Sequence, residues 1–161
     1  MADRVTSGGD GDGVRVEPLV LGNYLRALAL YAGYQRFYGA EPDERRNRLF
    51  FRRFLHPSPD GALLGAWVEG ELVGFACLYW TFSSIHARDI AYLSDLFVDE
   101  AHRGRGVGRA LIAACVELAR ARGAHHLEWL TAEDNATAQR LYDSFPGADR
   151  STWIGYEVPT E

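Results

Sequence analysis

Glycines at Gly104, Gly106 and Gly108 alternate with Arg103, Arg105 and Val107, and Arg109 follows. Glycine lets a backbone turn tightly and approach a ligand closely. Arginine makes charge-assisted hydrogen bonds to phosphate oxygens. An apolar run ending in Leu96, Phe97 and Val98 precedes this cluster. Val107, Leu111, Ile112, Cys115, Val116, Leu118 and Ala119 follow it at helical spacing, up to Gly123. The order is strand, glycine turn, helix. The first turn of a helix carries N–H groups without internal partners, at the positive end of the helix dipole. Arg103 to Arg109 therefore read as a pyrophosphate-binding turn.

Two common phosphate loops do not fit. A dinucleotide fingerprint starting at Gly104 or Gly106 would need a third glycine at Arg109 or Leu111. A triphosphate loop needs a lysine, and all 17 basic residues are arginine. What stands is Arg103-x-x-Gly106-x-Gly108.

The elements that must position this turn follow from pattern. Residues 1–13 read as a flexible, glycine-rich tail and 14–161 as one domain. Residues 14–17 read as a strand. A helix is expected over 19–38, with Leu21, Leu25, Leu28 and Ala32 on its apolar stripe, and a second over 41–56. A hairpin is expected over 62–68 and 72–82, with a bulge or close contact at Gly74, followed by a loop over 83–90 and a strand over 91–98. Another strand is expected over 125–131, where alternation would send His125 and His126 to opposite sides and deny them a shared metal. Asn135 can cap a helix carrying Ala138, Leu141 and Tyr142. Residues 147–150 and 151–158 would supply closing strands.

Composition bounds the function. A chain of 161 residues with 47% hydrophobic residues can bury a core. A net charge of −5 argues against a nucleic-acid partner. No metal-ligand spacing, signal peptide or membrane-length apolar run is read, so a cytoplasmic protein is expected. Cys77 and Cys115 lie in apolar runs and read as core thiols.

The glycine turn and Asn135-x-x-Ala138-x-x-x-Tyr142 together resemble the GCN5-related N-acetyltransferase (GNAT) superfamily. Tyr34-Gln35-Arg36-Phe37-Tyr38, Tyr79-Trp80-Thr81-Phe82-Ser83-Ser84 and Tyr92-Leu93-Ser94-Asp95-Leu96-Phe97-Val98 are similar to its polyamine, thialysine and yeast-type histone or polyamine branch. The resemblance implies an α/β (α+β) fold: a mixed, mostly antiparallel twisted sheet of about six to seven strands with about four helices. It implies acetyl-coenzyme A as cosubstrate, no metal, a small-molecule amine acceptor and often a homodimer. It places the coenzyme on Arg103 to Arg109, on the backbone of Leu96, Phe97 and Val98, and beside Asn135 and Ala138. It makes Tyr142 the acid for the leaving thiolate. The branch often carries Glu where this chain has Ser94. Asp95 is then the expected base, although alternation turns it away from Ser94 unless a bulge intervenes. Glu133 is a second candidate near the acceptor. Tyr31, Trp80 and Phe82 could hold a cationic acceptor by their ring faces. Ser94 also keeps open a coenzyme-binding regulatory module without turnover, and the acceptor could instead be a protein amine.

Overall fold

A computed structural model describes residues 13–160. Five strands among them form one sheet: β1 (Val14–Pro18), β2 (Gly61–Val68), β3 (Glu71–Ser83), β4 (Arg88–Val98) and β5 (Leu127–Glu128). They lie in chain order, each antiparallel to the next except β4 and β5, which are parallel. Glu69 and Gly70 join β2 to β3 with φ of 50° and 84°, the positive pair that a tight two-residue hairpin demands.

The α-helices among the described residues are α1 (Leu28–Phe37), α2 (Glu44–Phe51), α3 (Val107–Ala121) and α4 (Ala136–Asp143). Asp43 caps α2 by accepting from the Arg46 N–H at 2.9 Å. Buried Asn47 and Gln35 exchange amide hydrogen bonds of 2.7 and 2.9 Å, which tie α2 to α1. Residues through Leu130 and residues from Thr131 form two compact units.

Within the first unit the sheet has two different faces. α3 buries Val107, Leu111, Ile112 and Cys115, and a Cβ at Gly74 of β3 would meet Leu111 and Val107. The other face packs Leu63, Trp67, Phe75 and Cys77 against Tyr24, Ala27 and Tyr31 and against Phe51 and Phe54. Gly33 of α1 is the close approach there: a Cβ would lie 3.3 Å from the Phe97 ring.

Several expected elements are corrected. The sheet has five strands, not six or seven. Residues 151–158 form none, and Trp153, Ile154, Tyr156 and Val158 are exposed; residues with strand-forming side chains still need a ladder partner to make a strand. The strand expected over 125–131 contracts to Leu127–Glu128. The helix expected over 19–38 begins as a 3-10 turn at Tyr24–Ala27. Its tighter winding moves the buried stripe to Tyr24, Ala27 and Tyr31, and leaves Leu21 and Leu25 exposed. The second helix is shorter than expected because Asp43 caps it and residues 52–54 wind as another 3-10 turn. The expected tail lies, apart from Gly13, outside the described residues.

Candidate active site

At the end of β4 the chain makes the glycine turn. Gly104 and Gly106 have φ of 75° and 80°, the left-handed region that glycine enters without a steric cost, and a Cβ at either would meet nothing within 4 Å. Gly106 starts α3 with no side-chain cap, and the first helical bond runs from the Ala110 N–H to its carbonyl at 2.9 Å. The N–H groups of Val107 and Gly108 thus lie outside the helical ladder, at the positive end of a 15-residue helix. Arg105 and Arg109 are exposed beside them. Arg103 has a structural part as well. Its Nε donates to the Val98 carbonyl at 3.0 Å, and its guanidinium lies 5.7 Å from the Phe97 ring centre, so it straps the turn to β4.

This arrangement fits a pyrophosphate: open backbone, uncapped helix start, flanking cations. The neighbouring strand fits a thioester arm. β5 pairs only with Ala91 and Tyr92, so from Leu93 to Val98 β4 runs on without β5 beside it.

β4 also carries Asp95. Opposite β3, Cys77 pairs with Asp95 but Leu78 pairs with Leu93, so Ser94 is an extra, bulged residue. The bulge breaks strand alternation and turns Ser94 and Asp95 to the same side. The Tyr34, Tyr79 and Ser94 hydroxyls lie on the Asp95 side of β4. Burial pushes the Asp95 carboxyl above the usual carboxylate range, while the Tyr34 and Ser94 hydroxyls pull it back. Burial also raises both phenols, Tyr34 well above its usual value and Tyr79 to about 12. A half-buried carboxylate held above its usual range is a candidate proton acceptor.

The aromatic residues expected at the acceptor are placed differently. The Tyr31 ring is fully buried, stacked 3.3 Å from Phe51 and 4.0 Å from Phe75, so both of its faces are taken. Its hydroxyl finds no hydrogen-bond partner among the described residues, and it feels the Asp95 charge. Trp80 lies on the α3 side of the sheet, 4.7 Å beneath the Arg122 guanidinium. Phe82, 79% exposed, lines a surface recess with Arg88, Asp89 and Gly123. Neither is gathered around Asp95. The rings that are gathered there are Tyr34, Tyr79 and Tyr92, and Tyr34 continues at 5.0 Å to Tyr38 and then at 5.1 Å to Phe37, both largely exposed. Sequence reasoning missed Tyr34 and Tyr79 as site residues. The signal lay in their aromatic stretches, but it needed the position of α1 over β4.

In the second unit Asn135 caps α4, its Oδ1 accepting from the Ala138 N–H at 3.2 Å. Gln139 donates to the carbonyls of Ala132 and Glu133, which orders the segment before the helix. Glu133 is exposed. Tyr142 lies one turn after Ala138, on the same side of α4.

The histidines gather unexpectedly. Because β5 starts only at Leu127, alternation does not separate His125 from His126: their rings are 5.4 Å apart, and 5.1 and 5.3 Å from His86. Among the described residues no group of three or more His, Cys, Asp and Glu is arranged to hold a metal ion. No helix among them is long and apolar enough to cross a membrane.

Residues 27–145 match the model of the acetyltransferase (GNAT) family. The chain is 34% identical over 114 residues to the uncharacterized N-acetyltransferase YhfO of Bacillus subtilis, covering 71% of this chain and 76% of that protein. It is 36% identical over 94 residues to the D-amino-acid N-acetyltransferase HPA3 of Saccharomyces cerevisiae, covering 57% of this chain and 58% of that enzyme. The crystal structure of a probable acetyltransferase superposes with a TM-score of 0.78 at 26% identity, covering 91% of this chain and 98% of the other.

Proposed function

We propose that this chain, which belongs to the acetyltransferase (GNAT) family, is an N-acetyltransferase acting on the primary amine of a small molecule, amino-acid-like or a polyamine or diamine. The observation that carries the reading is β4 itself. Its bulge presents Asp95 among tyrosine rings, and its end opens into the glycine turn and α3.

When bound, acetyl-coenzyme A supplies an activated acetyl group as a thioester. Arg103 to Arg109 hold its pyrophosphate, with the Leu96, Phe97 and Val98 backbone alongside and Asn135 and Ala138 at the second motif. The acceptor arrives as an ammonium, attracted along the faces of Phe37, Tyr38 and Tyr34. Asp95 Oδ takes its proton and leaves a lone pair on nitrogen. Tyr142 Oη would hold a proton for the coenzyme's sulfur. The yeast relative is named for D-amino acids, which supports a small amine carrying other polar groups. Asp95 facing the rings weighs against a coenzyme-binding module without turnover, whose main support was Ser94. The same reading places the enzyme in the cytoplasm, in keeping with two buried free cysteines, Cys77 and Cys115.

Titration calorimetry with acetyl-coenzyme A, on the native chain and on Gly106→Val, tests the binding half. We expect micromolar-range affinity that falls at least about tenfold in the variant, because φ of 80° strains a branched side chain. Release of free coenzyme A with a panel of D-amino acids, diamines and polyamines tests the transfer half. Tyr142→Phe should lower kcat while binding stays intact. A well-folded native chain that binds no acetyl-coenzyme A overturns the assignment.

A further inference from the structure

Asp95 stands at the inner end of a file of aromatic rings. Beyond the bulge β4 pairs regularly, Asp95 with Cys77 and Phe97 with Phe75, so Asp95 and Phe97 share a side. That side faces α1, since a Cβ at Gly33 would lie 3.3 Å from the Phe97 ring. The Tyr34 ring centre is 6.2 Å from that of Phe97, the Tyr38 ring 5.0 Å from Tyr34, and the Phe37 ring 5.1 Å from Tyr38. The planes of Tyr34, Tyr38 and Phe37 meet in turn at 61° and 82°. Phe37 and Tyr38 are 62% and 60% exposed, so the outer end of the file opens to solvent.

Charge decides what such a file can hold. Rings set at steep angles offer negative faces to a cation, as the walls of an aromatic cage do. These rings also stand at the C-terminal end of α1, where the helix dipole is negative. Arg36, the basic residue of that last turn, is two residues from both Tyr34 and Tyr38 and so lies on another face of the helix. At the inner end, Asp95 shares its side with Phe75, Cys77 and Tyr79 of β3, Phe97 of β4, and Tyr31 and Tyr34 of α1, and none of these is basic. Arg103, at the end of the strand, already gives its Nε to the Val98 carbonyl. An acceptor with a carboxylate beside its amine would set that carboxylate next to Asp95 with no cation to offset it. An acceptor with a second ammonium would instead set it among the outer rings.

We infer that Phe37 and Tyr38 are specificity-determining residues that hold the distal ammonium of a short alkyl diamine while its other amine lies at Asp95, and that the site disfavours α-amino acids. The inference rests on the reading of Asp95 as the proton acceptor and selects among the small amines proposed for this site. It gives two exposed rings, which burial does not account for, a part in choosing the substrate.

The test uses the full chain with three amines: putrescine, a four-carbon diamine; butylamine, which lacks the second ammonium; and D-norvaline, an α-amino acid of similar size. We expect kcat/KM to fall in that order. In Phe37→Leu/Tyr38→Leu, which keeps apolar bulk and removes the ring faces, kcat/KM for putrescine should fall about tenfold, through KM, and that for butylamine by less. Tyr38→Phe, which keeps the ring, should behave like the native chain. Equal losses for the two amines, or D-norvaline ahead of putrescine, overturn the inference. Proton NMR titrations with no coenzyme added read the ring site without turnover. The Phe37 and Tyr38 ring resonances, assigned by their loss in the double variant, should shift at lower concentrations of putrescine than of D-norvaline, and resonances that putrescine leaves unmoved overturn the inference. Normal turnover by Asp95→Asn, or a chain inactive towards all three amines, overturns the functional reading instead, and the NMR titrations then decide the ring site on their own.

Discussion

The two faces of the sheet are built from different materials. On the α3 side aliphatic residues interdigitate, and the polar group among them, the Cys115 thiol, is raised by burial alone. On the α1–α2 side the packing is aromatic and is interrupted by hydroxyls and one carboxylate. There Cys77 is raised by burial first and then by Asp95. Both faces are packed, but among the described residues only the α1–α2 side sets a carboxylate, Asp95, among its rings. The difference sets aliphatic packing and the proposed proton acceptor back to back, separated by the thickness of one sheet.

Substitutions on the two faces should therefore fail in opposite ways. The largest effect belongs to Asp95→Asn, which should lower kcat/KM about 10²- to 10⁴-fold. Its effect on stability should have the other sign. The folded-state pKa of Asp95 is raised, so the folded state prefers the protonated form. That preference stabilises fully below the unfolded pKa and is lost as pH rises through the folded one. At neutral pH the ionised carboxylate costs stability, and a calorimetric scan should show Asp95→Asn melting no lower than the native chain. Leu111→Ala on the opposite face should lose about 2–5 kcal/mol in a urea titration, yet keep its kcat per folded molecule. If it lost turnover in the folded state, the separation of the faces would fail.

The smallest effect lies at the histidine cluster, away from both. His125 has its pKa lowered by desolvation, then by Arg88, His86 and His126. Protonation therefore favours the unfolded chain. The contribution is intact above the unfolded value of about 6.5 and declines as pH falls through it. Melting temperatures from pH 8 to pH 5 should fall less steeply in His125→Ala.

The glycine turn was legible because it is local: Arg103 to Arg109 carry spacing, charge and backbone demand within one stretch. The α3 stripe was legible for the same reason: of the expected residues Val107, Leu111, Ile112, Cys115 and Ala119 are buried, while Val116 and Leu118 are only partly so. The acceptor side was not, because it joins α1, β3 and β4. Tyr31 was expected to offer a ring face, but two other rings already cover it. Trp80 was expected beside the acceptor, but strand alternation delivers it to the α3 side under Arg122. Asp95 was expected to face away from Ser94, and a single bulge reverses that. The closing strands over 151–158 were read from aromatic side chains, which do not specify the ladder a strand must join.

The bulge has an evolutionary consequence. Tyr92, Leu93 and Asp95 already follow regular alternation if Ser94 is left out, since Leu93 and Asp95 pair with the adjacent residues Leu78 and Cys77. Removing the one codon for Ser94 would leave every other side chain of β4 on its present side and delete a single hydroxyl. Such a strand can gain or lose a hydroxyl next to its carboxylate by one in-frame step, with the register of its other residues kept.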